Sequence, residues 1–231
     1  MKKFTWLFLI ILWGIILFIP TFSSYAAIPM PNWKTRLINS DKMGSAIRTF
    51  VQEISIATDP SNFQHVCFLD PVTDTFRYRT NSSGHWRESS IVTFDSPYPL
   101  KHFNIVVTTM GKVLVVYSIA DRLKLAVSET PGRWNSIDLH SGECFQNAIA
   151  AGPTEKIHVS FIQDRVLYYA TSVGGRWTVF PVDNSGWITG DIAMAVDDAE
   201  TVHIAYYDLN NRELKYAAKR TNKNQWETGS I

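Results

Sequence analysis

The chain has 231 residues, of which 45% are hydrophobic and 13% aromatic, and its formal net charge is +1. This composition is typical of an ordered globular protein and excludes an intrinsically disordered one. So small a net charge gives no support to binding of nucleic acid.

The N-terminal segment predicts export. Two lysines follow the first methionine, a mostly apolar run covers residues 4–19, and small residues lead to Ala26. This order is typical of a signal peptide. We predict cleavage after Ala26, which removes residues 1–26 and leaves a single domain over residues 27–231, extracellular or periplasmic and without a membrane anchor. An uncleaved anchor is the alternative, because the apolar run approaches the shortest length that spans a bilayer.

A strand-rich unit recurs four times after this segment. Each unit has an apolar strand a, a polar turn, strand b, an alternating strand c, and a second polar turn that leads through Trp into strand d. The clearest copies run from Lys156 to Asp183 and from Thr201 to Ile231. A repeat of this length that contains only strands predicts propeller blades.

The four copies give four sets of predicted strands. Strand a covers residues 53–57, 103–107, 147–150 and 191–196, and strand b covers 65–69, 113–117, 158–162 and 203–207. Strand c covers 76–79, 123–126, 167–170 and 214–217, and strand d opens with Trp86, Trp134, Trp177 and Trp226. Strands a and b are the more continuously apolar, which is expected of inner strands packed on both faces.

We therefore predict an all-β fold, a β-propeller of four four-stranded antiparallel blades. The segment Trp33–Ile38 resembles an additional strand d, so five blades, or an incomplete ring completed by a second copy, are alternatives. An incomplete ring would leave open sheet edges, which favour association. A homo-oligomer is expected in that case.

The turns before strand d carry a family resemblance. Three of them read Gly-x-Trp, at Gly84 to Trp86, Gly132 to Trp134 and Gly175 to Trp177. They resemble a degenerate Asp-box of the sialidase-type (BNR-repeat) propellers, Ser-x-Asp-x-Gly-x-Thr-Trp. In this chain the Asp is absent, and Trp follows Gly by two residues instead of three. The resemblance covers residues 33–231 and implies a propeller of that superfamily.

Residues that recur in every unit are expected to be structural. Trp86, Trp134 and Trp226 should pack one blade on the next, while Trp177 is in addition a candidate platform for stacking a sugar. Three histidines, His65, His158 and His203, begin strand b, and we expect each to bond a neighbouring turn and not a metal. No metal or cofactor is expected.

The two cysteines, Cys67 and Cys144, fall in units that are not neighbours. Their Cα atoms should therefore lie too far apart for a disulfide. We expect two free thiols, with Cys67 buried as a small hydrophobic residue.

Binding residues are expected in the b–c and d–a loops, which share the mouth of the central channel. Trp187 stands out among them because it is an aromatic residue in a polar loop. The candidates from these loops, together with Trp177 from the repeat, are Trp187, Tyr98, His102, His140, Arg165, Asp208, Arg212 and Trp177.

These features predict a secreted binding module for a carbohydrate or a cell-surface ligand. A sialidase-like glycoside hydrolase is one alternative, and a scaffold that binds a protein on its flat face is another. The resemblance implies that a sialidase would need an Arg-Ile-Pro start, but Ala27-Ile28-Pro29 lacks the arginine. We therefore expect a binding protein and not an enzyme.

Overall fold

The computed structural model describes residues 53–70, 73–94, 100–130, 132–173, 175–223 and 225–231. This part of the chain forms sixteen β-strands in four separate sheets. The predicted signal peptide, the strand predicted at Trp33–Ile38 and the candidate Tyr98 lie outside the described residues. Within them, no helix is long and apolar enough to cross a membrane.

Each sheet is an antiparallel meander of consecutive strands, and we call it a blade. Blade 1 consists of β1 (Ile54–Thr58), β2 (Gln64–Asp70), β3 (Thr75–Thr80) and β4 (Arg87–Thr93). Blade 2 consists of β5 (Leu100–Val107), β6 (Val113–Ile119), β7 (Arg122–Thr130) and β8 (Arg133–Ser141). Blade 3 consists of β9 (Gln146–Ala151), β10 (Ile157–Gln163), β11 (Val166–Val173) and β12 (Arg176–Asp183). Blade 4 consists of β13 (Ile188–Val196), β14 (Val202–Asp208), β15 (Glu213–Lys219) and β16 (Glu227–Ser230).

The predicted all-β architecture of four four-stranded antiparallel blades is confirmed. Two strands begin three residues earlier than predicted, β5 at Leu100 and β13 at Ile188. Both carry a break in register near this end, after Leu100 and after Thr189. A bulge lets a strand continue through polar residues that spoil the alternating pattern, so the sequence pattern placed these residues in loops.

The blades stand side by side, with β1, β5, β9 and β13 as successive inner strands. A separate hydrophobic core fills each of the three junctions between consecutive blades. One aromatic position of strand b recurs in these cores, as Tyr117, Phe161 and Tyr206, each at most 2% exposed. Each of these rings faces the preceding blade, and burial of such a ring stabilises the fold by about 2–3 kcal/mol.

The inner strand of blade 1 differs from the prediction that strand a packs on both faces. Ile54 and Ile56 are each 62% exposed. Within the described residues blade 1 has a neighbour on one side only, so the other face of β1 is uncovered. Phe68, the aromatic of strand b in this blade, is accordingly only half-buried, with the guanidinium of Arg79 above its ring. Closure of the ring stays a prediction.

Two local predictions are confirmed. The turn glycines Gly84, Gly132 and Gly175 have φ of +82°, +84° and +81°, a region that glycine enters without steric cost. Cys67 and Cys144 are buried free thiols. Burial raises the pKa of Cys67 well above its ordinary value and that of Cys144 to about 12, so both stay protonated near neutral pH.

The antiparallel meander gives each blade two distinct ends. The b–c turns and the d–a connections lie together at one end, which we call the loop end. The a–b and c–d turns lie together at the opposite end, which we call the turn end. Because side chains at opposite ends are separated by the length of a strand, the two ends offer independent surfaces.

Candidate functional site

Trp187 lies at the loop end, between blades 3 and 4, in the connection from β12 to β13. Its backbone is held from both sides. The N–H of Trp187 donates to Asp208 Oδ1 at 3.2 Å, and its carbonyl accepts the N–H of Leu209 at 2.9 Å. The next residue, Ile188, donates its N–H to the carbonyl of Arg165 at 3.0 Å. The indole is 37% exposed on this fixed backbone.

Gly186 makes this arrangement sterically feasible. A Cβ atom at this position would lie 2.1 Å from Asp208 Oδ2. Asp208 itself is fully buried, and its carboxylate also accepts bonds from the N–H of Asn210 at 3.1 Å and from Asn211 Nδ2 at 2.9 Å. Asp208 therefore links the loop that carries Trp187 to the b–c turn of blade 4, with its oxygens directed at the protein.

Arg165 covers part of Trp187. Its guanidinium carbon lies 3.8 Å from the centre of the indole ring, a cation–π contact. Arg165 and its neighbour Asp164 have φ of +70° and +50°, so the hairpin between β10 and β11 turns through two left-handed residues without a glycine. Such a turn matches the twist of the paired strands. It presents the arginine side chain at the junction of the two blades.

A charged cluster lies beneath this pair. Lys215 Nζ is 2.5 Å from Asp183 Oδ2 and 3.7 Å from Asp208 Oδ2, and all three side chains are nearly or fully buried. Asp183 Oδ2 also accepts the hydroxyl of Tyr206 at 2.7 Å. Burial acts to raise the pKa of Asp183, but hydrogen bonds from Lys215, Ser185 and Tyr206 outweigh it and hold that pKa well below its usual range.

The same balance applies to the second carboxylate of the cluster. Burial acts to raise the pKa of Asp208, while the bonds from Asn211 and from the backbone of Trp187 lower it further than burial raises it. Both carboxylates are thus ionised, share one lysine cation and accept hydrogen bonds from protein groups. The cluster supports the loops that carry Trp187 and does not present an acid to a ligand.

The other candidates from the loop end lie at other junctions. His140 Nε2 is hydrogen-bonded to Gln163 Oε1 at 2.5 Å, and the ring packs at a tilt against Phe161, at the junction of blades 2 and 3. His102 lies within β5 and not in a loop, and its Nδ1 is 3.6 Å from Glu53 Oε1, at the junction of blades 1 and 2. The structure thus brings Arg165, Trp187 and Asp208 together and leaves the two histidines apart.

Two candidates remain. Arg212 is an exposed residue with φ of +56° in the turn that follows Asp208. Trp177 lies near the start of β12, at the turn end, and is half-buried. The structure therefore separates Trp177 from Trp187 by the length of a strand.

Sequence reasoning missed Asp183, Lys215 and Gln163. Lys215 sits in an alternating strand c, where a lysine is expected to face solvent. Asp183 ends a strand, which is typical of a turn former. The repeat itself could have indicated the pairing of Lys215 with an acid. In blade 1 the residues equivalent to Lys215 and Asp208 are Arg77 and Asp70, and Arg77 Nε contacts Asp70 Oδ2 at 2.9 Å.

Two of the three histidines that begin strand b bond neighbouring turns, as expected, while His158 bonds Tyr169 on strand c instead. His65 Nε2 lies 3.3 Å from Asp59 Oδ2, and His203 Nε2 lies 3.2 Å from Asp197 Oδ2. Among the described residues no group of three or more His, Cys, Asp or Glu side chains is placed to hold a metal ion.

Comparison with known proteins identifies the fold. No family model matches the chain, and no curated protein matches it by sequence. Solved structures do match. A triple arginine mutant of AofleA from Arthrobotrys oligospora has a TM-score of 0.60 and 16% identity, over 78% of this chain and 56% of that one. The α-L-arabinofuranosidase Arb93A from Fusarium graminearum has a TM-score of 0.58 and 12% identity, over 78% of this chain and 66% of that one.

A third solved structure matches with a lower TM-score and a lower identity. The exo-β-1,3-galactanase of Phanerochaete chrysosporium has a TM-score of 0.53 and 8% identity, over 77% of this chain and 49% of that one. The chain thus spans about half to two thirds of the length of these structures. Such low identities establish a common architecture only. The chain has the β-propeller fold that its repeats predict.

Proposed function

We propose that the protein is an exported carbohydrate-binding propeller and that Trp187 and Arg165 form its binding surface. The observation that carries the proposal is the exposed indole with a guanidinium stacked on it at 3.8 Å. An aromatic face meets the C–H face of a sugar ring, and the planar fork of an arginine donates to hydroxyl or carboxylate oxygens.

Preorganisation supports the same proposal. The backbone of Trp187 is held by Asp208 and Leu209, and Asp208 is in turn held near Lys215. A platform that is already ordered loses little conformational entropy when a ligand binds. Two of the similar structures, an arabinofuranosidase and a galactanase, are carbohydrate-active enzymes, which accords with this ligand class.

Binding is favoured over hydrolysis because of the state of the nearby acids. A glycosidase generally needs two carboxyl groups that flank the scissile bond. Two acids beneath Trp187, Asp183 and Asp208, are buried and hydrogen-bonded to protein groups, which leaves the exposed Asp164 of the Arg165 turn. The proposal also includes two predictions from the sequence, a relationship to the sialidase-type propellers and a cleaved signal peptide.

The test is a glycan array probed with the full chain, followed by calorimetric titration of the best ligand. We expect Trp187→Ala to weaken binding at least about tenfold, which corresponds to the loss of one stacking contact of about 1.4 kcal/mol. Phe180→Ala is the matched control, because Phe180 is a similarly exposed aromatic, 44% exposed, on β12. Unchanged affinity in the Trp187 variant would exclude this surface. Release of an aryl group from aryl glycosides would instead favour the hydrolase.

A further inference from the structure

A polar relay recurs at the turn end of three blades. In each, Nδ1 of the first histidine of strand b bonds a tyrosine hydroxyl on strand c. A carboxylate bonds Nε2 of that histidine in blades 1 and 4 and lies 3.7 Å from it, without a hydrogen bond, in blade 3. The relays are Asp59–His65–Tyr78 in blade 1, Glu200–His158–Tyr169 in blade 3 and Asp197–His203–Tyr216 in blade 4. A carboxylate at Nε2 favours the proton on that nitrogen, so Nδ1 accepts from the tyrosine.

Blade 2 lacks this relay and has two leucines in its place. Leu114 takes the position of the histidine, and Leu125 takes that of the tyrosine. Leu125 pairs with Val116 across the strands, just as Tyr169 pairs with Ser160 in blade 3. The carboxylate remains, because Glu155 occupies the position in its turn that Glu200 occupies in the next blade, with φ of +65° and +60°.

The missing tyrosine changes the packing of the repeated tryptophan. Trp134 stands edge-on to Tyr78 of the preceding blade, with ring centres 5.0 Å apart and planes at 74°. Trp226 stands on Tyr169 with the same distance and angle. Trp177 is the equivalent residue of blade 3. It packs against the core of the junction of blades 2 and 3, in which Leu125 holds the position of the tyrosine.

The hydrogen-bond partner of the indole is missing too. Trp134 Nε1 donates to Ser89 Oγ at 3.2 Å. Ser89 lies in blade 1, where it pairs with Tyr78 across the strands. In blade 2 the equivalent residue is Ile137, which pairs with Leu125 in the same way. Within the part of the chain that the structure describes, the N–H of Trp177 has no protein acceptor, and the buried N–H of Trp226 has none either.

A groove of about 390 Å³ lies where these groups are missing, between blades 2 and 3 at the turn end. Leu114 and Leu125 form its apolar floor and Trp177 one wall. This volume falls in the range of about 300–1,000 Å³ that is typical of small-molecule sites. The leucines are each at most 2% exposed, while Lys112, Glu155, Lys156 and Gly175 of the lining lie in turns, so the groove opens at the turn end over a packed junction.

The rim is charged. Lys112, Glu155 and Lys156 line the groove. Glu155 Oε1 accepts the Thr109 hydroxyl and the N–H of Met110, so it is tied to the turn of blade 2. Neither lysine forms an ion pair with another described residue, and both side chains are exposed. The rim therefore favours an anionic group, while the floor and the tryptophan favour an apolar face.

We propose that this groove is a second binding site, specific for a sugar ring that carries a carboxylate or a sulfate group. The C–H face of the ring lies on Trp177, the indole N–H donates to a ring hydroxyl, and the acidic group meets Lys112 and Lys156. The ligand class rests on the proposed carbohydrate-binding function, but the site is distinct from the Trp187 surface at the other end of the blades.

The experiment restores the relay and thereby fills the groove. Leu114→His with Leu125→Tyr rebuilds the histidine–tyrosine pair beside Glu155, which already stands in the place of the carboxylate. The probes are trisaccharides of galacturonate, of glucuronate and of sulfated galactose, with cellotriose as the neutral member, titrated calorimetrically into the full chain.

We expect the wild-type chain to bind at least one acidic trisaccharide at least tenfold more tightly than cellotriose, with a change in tryptophan fluorescence. The double variant should lose this binding and unfold at a temperature no lower than that of the wild type. Trp187→Ala should keep it, which separates this site from the first one. Binding of no acidic trisaccharide, or equal binding by the double variant, would overturn the proposal.

Lys112→Gln is the second variant, in case the double variant does not fold. It changes one exposed side chain on the rim, so its stability should equal that of the wild type. We expect several-fold weaker binding of the acidic probe and unchanged binding of cellotriose. The affinity of the wild-type chain for the acidic probe should also fall as the salt concentration rises, because salt screens the attraction to the lysines. Equal affinity for the acidic probe in this variant would contradict the assignment of the rim.

Discussion

Two junctions between blades are built from equivalent strands but filled by different side chains, namely the junction of blades 3 and 4 and the junction of blades 2 and 3. The first is polar at its turn end, where Glu200, His158 and Tyr169 form a relay beneath Trp226. The second has Leu114 and Leu125 at the corresponding positions, beneath Trp177. The first is closed by aromatic packing, and the second holds a groove.

The difference shows how a repeat changes its chemistry without changing its fold. A buried histidine that loses its tyrosine, or the reverse, leaves a polar atom without a partner, at a cost of about 1–3 kcal/mol. Replacement of both by leucine avoids that cost. The pair therefore changes as a unit, and the smaller leucine leaves space that a larger ring would fill.

The largest effect is expected at the loop end of the junction of blades 3 and 4. Lys215→Met leaves Asp183 and Asp208 buried without their cation, so the free energy of unfolding should fall by about 3 kcal/mol. Lys124→Met is the matched control at the equivalent position of blade 2. Lys124 pairs with Asp138, which is 46% exposed, and its loss should cost at most about 1 kcal/mol. Urea denaturation of both variants measures the difference, and equal losses would contradict it.

A second variant converts the closed junction into the open one. His158→Leu alone leaves the buried Tyr169 hydroxyl without its partner and should destabilise the fold by about 2 kcal/mol. His158→Leu with Tyr169→Leu should cost less than the sum of the two single changes, with a coupling of about 1 kcal/mol. A double-mutant cycle by urea denaturation measures this coupling. Additive losses would show that the relay does not act as a unit.

The pH dependence follows from Asp183, whose pKa is depressed in the folded state from an ordinary value of 3.8. Its folded-state interactions stabilise the protein fully above about pH 4, and this contribution is lost as the pH falls below that value. Asp183→Asn should therefore be less stable than the wild type at pH 7 and closer to it at pH 3. Thermal unfolding at the two pH values tests this, and a constant difference between the proteins would contradict it.

The smallest effect concerns the turn that leads into Trp177. Gly175→Ala places a Cβ on a residue with φ of +81°, with no neighbouring atom within 4 Å, so the cost is conformational and about 1 kcal/mol. Gly229→Ala on β16 is the control, because its φ is not in the left-handed region and the space around it is also open. Its stability should change by less than about 0.5 kcal/mol. Equal effects at the two sites would contradict a left-handed turn.

Much of the architecture follows from local pattern. The repeated strands, the Gly-x-Trp turns with positive φ and the free cysteines were all predictable, because each depends on alternation, on turn chemistry or on spacing along the chain. The stacking of Arg165 on Trp187 was not, although both residues were candidates, because it depends on how far two loops from different blades approach.

The blades and their order follow from the sequence alone, since each described strand pairs with a neighbour along the chain and needs no distant partner. The contents of the junctions were decided by the tertiary structure. Lys215 pairs with an acid from another blade, and Trp177 packs against a core that has Leu125 where its counterparts have tyrosine. These outcomes depend on contacts between residues that lie far apart in the chain, and a short-range pattern carries no information about such distances.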